Sequence, residues 1–518
     1  MMYHKMEWGG HQELVADSVA SGGVATPNYD VNRSSFPVGF IFGTASSSYQ
    51  YEGAANEGGK GPSIWDTFTQ RYPDKIKDHT SGVLAADDSY HRYKEDVGIM
   101  KDIGFDAYRF CISWSRLLPN GNLSREVNLE GIAYYNNLIN ELLSNGLKPF
   151  VTLFHWDLPQ VLDDTYGGFL NPQIVNDFIE YAELCYREFG DRVKHWMTFF
   201  EPLTFTILGY AYGLFPPARC SNRLICAGGD SATEPYVVAH HQILAHAAAV
   251  NVYRDKYQPS QKGEIGIALN SPWIVPLIQS AADNDAASRA LAFTYGWFME
   301  PLNSGSYPAE MVTHVRERLP QFSSEQLSSM VKGSFDFIGI NYYTANYASD
   351  FPCQTHQLSY LTDSCLSITS ERNGIPICPK AASDWLFIYP QGIQDLSLYT
   401  KNKFNNPVIY ITENGVDELN NGKVLSLEDD MRIDFYNSHL SFVQSAIMNE
   451  VNERGYFAWS LLDNFEWGDG YTVCFGIIHV DCEDELKRYP KNSAKWFKKF
   501  LQNEHQKEAS HFLWTSSS

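Results

Sequence analysis

The sequence predicts a single (β/α)8 barrel with long βα loops. Three observations lead there: eight short apolar runs spaced along the chain, helical periodicity between most of them, and run ends that gather carboxylates, amides and indoles.

FIFGTASSSYQ (40–50) is the first run. After it, DDSYHRYKEDVGIMKDIG sets Tyr90, Tyr93, Val97 and Met100 on one helical face and stops at Gly104. FDAYRFCISW (105–114) reads as the second strand. Ile132, Tyr135, Leu138, Ile139 and Leu142 then recur at helical spacing before an Asn145-Gly146 stop. PFVTLFHW (149–156) is the third strand. The next helix carries Ile174, Phe178, Tyr181 and Cys185, and VKHWMTFF (193–200) follows as the fourth strand. GEIGIALN (263–270), FDFIGINYYT (335–344), PVIYITENG (407–415) and RGYFAWSLL (454–462) complete the set. Stretches near 216–232 and 350–382 are rich in Gly, Pro, Ser and Cys and read as surface loops. Residues 1–35 are expected to be an N-terminal extension with little order, 36–500 the barrel domain, and 501–518 a C-terminal tail.

Composition narrows the partners. The 518 residues carry 61 acidic and 39 basic side chains, a net charge of −22, which repels phosphate backbones and anionic membranes. Nucleic acid and membrane are therefore not expected. The start, MMYHKMEWGG, has no apolar signal core, and HFLWTSSS is no retention or peroxisomal address, so a cytoplasmic location is expected. Nine cysteines suggest free thiols rather than a disulfide framework, and only Cys220 and Cys226 lie close enough for a small local bridge. HHQILAH (240–246) lacks metal-ligand spacing and reads as packing histidines. No phosphate loop, dinucleotide fingerprint or zinc motif occurs, so neither metal nor organic cofactor is expected.

In such a barrel, functional side chains collect at the C-terminal ends of the strands. Those ends read Gln50 and Glu52; Arg109; His155 and Trp156; Glu201; Asn341 and Tyr343; Glu413 and Asn414; Trp459, then Glu466 and Trp467. Carboxylates and amides bind hydroxyls, and indoles pack on the apolar face of a sugar ring. Glu201 and Glu413, on the fourth and seventh strands, face one another across the barrel mouth. Glycosidic cleavage uses such a pair, one protonated to assist the leaving oxygen and the other ionised. A lone Glu at a strand end is more often a salt-bridged loop acid. Two among so many amides and aromatics argue for chemistry.

FIFGTASSSYQYEGA, FHWDLPQ, TFFEP, NYYT, ITENG and WSLLDNFEW resemble, in order, the motifs of family 1 glycoside hydrolases, the retaining β-glucosidases. The resemblance spans roughly residues 36–500. SDWLFIYPQG (383–392) is similar to plant glucosidases of monoterpenoid indole alkaloids, of the raucaffricine and strictosidine glucosidase type. By that likeness Glu413 is the nucleophile and Glu201 the acid/base. Gln50, His155, Trp156, Asn414, Glu466, Trp467 and Phe475 join the substrate site, and Trp459 lies beneath the sugar. Arg109, Asn341 and Tyr343 support the carboxylates, and Trp385 is the aglycone platform, with Leu203, Phe205 and Leu208 nearby. Cys220 and Cys226 match the plant enzymes' loop disulfide. The implied reaction is hydrolysis of a bulky specialised-metabolite β-glucoside by double displacement, without a cofactor. A homo-oligomer stays open, as do a transglucosidase and a catalytically impaired glucoside-binding relative.

The last alternative rests on one residue. TFFEP has Phe200 where the family usually carries an asparagine that hydrogen-bonds the sugar's 2-hydroxyl. Cys474 and Cys111 also replace a usual Arg and Ser, with milder expected effect.

Overall fold

The computed structural model describes residues 31–80, 87–322, 329–354, 356, 358–421 and 427–502. Positions 1–30 of the expected extension and 503–518 of the expected tail lie outside the described residues. The end of the extension is ordered against the barrel. Val31 is buried, Asn32 caps the short turn Arg33–Ser35, and Arg33 pairs with Asp106 at 2.7 Å.

Eight parallel strands close on themselves: β1 (Ile41–Ala45), β2 (Ala107–Cys111), β3 (Lys148–Phe154), β4 (His195–Phe200), β5 (Glu264–Asn270), β6 (Phe337–Asn341), β7 (Ile409–Asn414) and β8 (Glu453–Ala458). Each pairs with its chain neighbours, and β8 returns to β1 through Ile41↔Gly455 to Thr44↔Ala458. This is the expected (β/α)8 barrel. Its strands are buried along nearly their whole length, because one face meets the interior and the other meets helices such as Gln173–Phe189 and Glu234–Val252. The lower interior is filled, not hollow. Phe150 stacks on His195 with centroids 4.0 Å apart and packs on Phe457 at 4.8 Å and Tyr410 at 5.4 Å.

Two register shifts position the site. The pairing of β4 with β5 shifts between Met197 and Phe200, and that of β7 with β6 shifts between Ile411 and Glu413. Along β4, Thr198 bonds His246 at 2.6 Å and Phe199 packs on Phe178 at 4.5 Å, both on flanking helices. Two consecutive residues thus face outward, and Phe200 turns inward. On β7 the shift sets Glu413 beside Asn341.

The loops hold more order than composition suggests. Ala345–Asp350 pairs with Trp273–Pro276 and with Leu366–Thr369 in a small sheet above the barrel. Cys220 bonds Cys226, and Cys353 bonds Cys365 across twelve residues. The second bridge overturns the expectation of free thiols there: the fold brings together two cysteines that sequence spacing does not pair. His240, His241 and His246 contact Tyr307, the Phe169 carbonyl and Thr198, as packing histidines should. Among the described residues, no helix is long and apolar enough to cross a membrane.

Candidate active site

Glu201 follows β4 directly and caps the helix Pro202–Tyr210, with backbone φ +44° and ψ 58°. That left-handed conformation costs a non-glycine residue on the order of 1–2 kcal/mol. Trp156 (φ +74°) and Trp467 (φ +52°) share it. All three line one cavity of about 700 Å³ at the C-terminal mouth of the barrel.

The two carboxyls meet through an amide. Asn341 Nδ2 donates to Glu201 Oε1 at 2.7 Å and lies 3.5 Å from Glu413 Oε2. Its orientation is fixed, since its Oδ1 accepts from Thr412 Oγ1 at 2.6 Å. Glu413 also receives the Arg109 guanidinium and the Tyr343 hydroxyl, the latter at 2.8 Å. Glu201 Oε2 receives the Thr204 hydroxyl at 2.8 Å. One nitrogen within reach of both groups is in keeping with the ~5 Å separation of a retaining pair.

Burial raises both carboxyls, pushing Glu413 up to about 8, with the neighbouring Glu201 adding to it against Arg109. Glu201 is also raised by burial, and Asn341 and Thr204 oppose that. Two raised carboxyls this close share one proton at neutral pH. Ranking by burial alone would leave it on Glu413. The partners decide otherwise: a guanidinium and a phenol stabilise an anion at Glu413, whereas Glu201 has only neutral donors. On that count Glu413 is the better seat for the charge and Glu201 for the proton.

His155, Trp156, Tyr343, Trp385, Trp459, Glu466, Trp467 and Phe475 all line the cavity with the two carboxyls. Burial and Arg109 pull the His155 ring well down, so it is neutral and can hydrogen-bond a hydroxyl. Glu466 Oε1 has no protein partner, which leaves an acceptor for a sugar hydroxyl. Asp417 accepts from the backbone N–H groups of Ala382 and Ser383 at 3.2 and 3.0 Å, and so secures the loop that carries Trp385.

Other expected contacts are engaged elsewhere. Asn414 gives one N–H to the Tyr342 carbonyl at 2.6 Å and accepts the Tyr456 hydroxyl at 2.7 Å, so part of its capacity is used within the protein. Gln50 accepts from Ser47 and donates to Asn464 and the Phe465 carbonyl, both at 2.8 Å. Its Nε2 also lies 3.4 Å from Glu466, which lines the cavity. Glu52 is held by Arg116 at 2.8 Å and by Tyr135. Leu208 lines the mouth, whereas Phe205 packs on Phe154 and Phe169, and Leu203 is buried in the same core. Sequence reasoning missed Thr204 and Asn270, which line the cavity beside Glu201. A Thr one turn after the acid carried a faint helical signal. Asn270 carried none.

Residues 32–506 match the sequence profile of glycosyl hydrolase family 1. The chain belongs to that family. It is 62% identical over 478 residues to β-glucosidase 12 of Oryza sativa subsp. indica, covering 91% of this chain and 93% of the relative. To β-glucosidase 13 of Arabidopsis thaliana it is 60% identical over 474 residues, covering 91% and 93%. Among solved structures, a rice Os3BGlu6 β-glucosidase superposes with a TM-score of 0.89 at 49% identity, over 91% of this chain and all (100%) of that one. A mutant of the same rice enzyme, in a covalent complex with Glc, fits equally well at 0.89. A family 1 β-glucosidase of Humicola insolens in complex with glucose gives 0.87 at 42% identity, over 90% and 98%. This family 1 chain is a glycoside hydrolase with retaining β-glucosidase activity.

Within the family 1 site, Phe200 is the departure with structural consequence. It is fully buried, its ring 4.1 Å from the Arg109 guanidinium carbon and 4.5 Å from the His155 ring. It packs against the arginine that pairs with Glu413, a cation–π contact in place of an amide donor. Arg109 Nε has no partner there. Cys111 keeps a polar role, its Sγ 3.3 Å from His155 Nδ1, and Cys474 contributes its carbonyl to Arg432 at 2.7 Å.

Proposed function

We propose that Glu413 is the nucleophile and Glu201 the acid/base, acting on a glucoside with a large, flat, apolar aglycone. A monoterpenoid indole alkaloid is the class we favour. The observation that carries the catalytic assignment is the amide of Asn341 spanning two carboxyls with unlike partners. Glu413 attacks the anomeric carbon as Glu201 protonates the departing oxygen, which gives a covalent glucosyl-enzyme. Glu201 then takes a proton from water as that water releases glucose.

The aglycone reading draws on the cavity mouth. Trp385 stands there half-exposed and edge-on to Tyr343 at 5.7 Å, and Leu208, Leu214, Phe215 and Ile368 give apolar walls. A flat polycycle fits such walls better than a second sugar does. Measuring glucose released from alkaloid, phenolic and iridoid glucosides tests this directly. Faster turnover of phenolic or iridoid glucosides than of alkaloid ones would overturn the aglycone class.

Glu201→Gln tests the acid/base role. A nitrophenolate leaves without protonation, so glucosyl-enzyme should still form and then stall. Azide needs no general base and should restore turnover, yielding β-glucosyl azide. Equal loss for good and poor leaving groups, without azide rescue, would remove Glu201 from that role.

A further inference from the structure

Away from the active site, His314 stands in the last turn of the helix Ala309–Val315. Its Nδ1 lies 3.3 Å from Cys365 Sγ and 3.9 Å from Cys353 Sγ. The three ligating atoms all fall within 4.8 Å of one another. One imidazole nitrogen with two cysteine sulfurs is a donor set for zinc, which takes three protein ligands and a water at tetrahedral corners. The two sulfurs are joined as a disulfide, so the set is complete only once that bridge is reduced. The frame around the cluster has other supports. Arg289, on the helix Ala281–Leu291, donates to the carbonyls of Ser364 and Cys365 at 2.7 and 2.8 Å. Arg318 grips the Asp363 carboxylate with two N–H groups, at 2.8 and 2.7 Å. These four contacts hold the Cys365 side of the pair without help from the bridge. Cys353 is exposed, so a reductant and an ion can both reach the sulfurs. The Arg289 guanidinium beside Cys365 favours a thiolate, the form that binds metal.

We propose that His314, Cys353 and Cys365 form a redox-gated zinc site, closed to metal as a disulfide and open to it as a dithiol. A dithiol reductant opens it by exchange. The Cys353–Cys365 S–S bond breaks, two cysteine thiols form, and the reductant leaves as its own disulfide. Both thiols then lose their protons to solvent as the thiolates and the His314 imidazole bind the zinc ion, with water in the fourth position. The ion restores the link between Cys353 and the strand Leu366–Thr369 that follows Cys365. Ile368 and Thr369 of that strand line the mouth of the active-site cavity. Among the described residues, Cys220 and Cys226 have no third His, Cys, Asp or Glu ligand atom so close, so the other bridge makes no such site.

The test uses the full-length protein, with zinc and cobalt ions as separate probes. A phosphine reduces the bridge and leaves as its oxide, with oxygen from water. Reduced protein should bind about one zinc ion per chain more than oxidised protein does. Its cobalt form should show the visible bands of a tetrahedral ion and thiolate-to-cobalt absorption in the near ultraviolet. The cysteines outside the two bridges are free in both states, so the difference between the states reads the bridges alone. Cys353→Ser should abolish the gain, Cys220→Ser should keep it, and His314→Ala should weaken zinc binding by more than about tenfold. Hydrolysis of nitrophenyl glucoside by each reduced sample verifies its fold, and His314→Gln replaces His314→Ala if the latter misfolds. No gain on reduction, a gain that survives Cys353→Ser, loss of the gain in Cys220→Ser, or unchanged affinity in the His314 variant would overturn the site.

Discussion

Phe200 shows how one side chain can act on a catalytic pair without touching the cavity. Its ring covers the Arg109 guanidinium at 4.1 Å, and Arg109 holds Glu413. A cation–π contact of this kind is worth about 0.5–2 kcal/mol. The asparagine usual in family 1 would instead offer an amide to the sugar's 2-hydroxyl, a contact that strengthens in the transition state. Phe200→Asn should therefore raise kcat/KM for glucosides by about two- to twelvefold, the worth of roughly 0.5–1.5 kcal/mol. It should also widen the preference over matched 2-deoxyglucosides. The same change removes a fully buried ring and should lower Tm. Unchanged rates and unchanged 2-deoxy discrimination would show that another residue reads that hydroxyl.

At the scale of elements, β8 and the loop carrying Trp385 make separable predictions. Glu453 opens β8 in full burial, with Ser397 its hydrogen-bond partner at one oxygen and none at Oε2. Burial pushes it up to about 8, above its unfolded value of about 4.3. A raised carboxyl contributes stability that is complete below the unfolded value and declines as pH rises toward the folded one. Glu453→Gln does not titrate, so its unfolding free energy should gain on the wild type between about pH 4.3 and 8, by up to about 1.4 kcal/mol per pH unit. A constant difference across that range would refute the assignment. The loop behaves differently. Trp385 is 48% exposed, so Trp385→Ala should leave Tm nearly unchanged while lowering kcat/KM for bulky glucosides more than for small aryl ones. A uniform drop over all substrates would count against the platform role.

Across the whole molecule, residues after the last strand fold back on one another through a buried ion-pair cluster. Lys491 reaches back to Asp463 at 2.7 Å, where His479 and the Gly476 N–H also converge. Burial pushes Asp463 up, but Lys491, His479 and Arg432 outweigh it and hold the carboxyl below its ordinary range. Its stabilisation is present above that range and is lost as pH falls through the folded value. Lys491→Met removes one partner from a buried pair, which costs about 3–5 kcal/mol. Thermal and acid inactivation should both shift, to lower temperature and to higher pH. Asp463 lies three residues before Glu466, so KM for glucosides should rise as well. An unchanged acid midpoint would refute this linkage.

Local periodicity sufficed for the eight strands, the helices between them, and the prominence of Glu201 and Glu413. Strand and helix repeats are short-range, and barrel strands point their C-terminal ends at one mouth. The direction of Phe200 was not legible, because a register shift against β5 sets two successive β4 residues outward. Asn414 and Gln50 looked like sugar ligands because sequence shows donors and acceptors but not who satisfies them. Tyr342, Tyr456, Asn464 and Phe465 take part of that capacity. The Cys353–Cys365 bridge and the meeting of Thr204 with Asn270 are likewise products of distance in space. Burial completes the division: which carboxyl keeps the proton depends on a guanidinium more than 300 positions away in the chain, a neighbour that only closure of the barrel supplies.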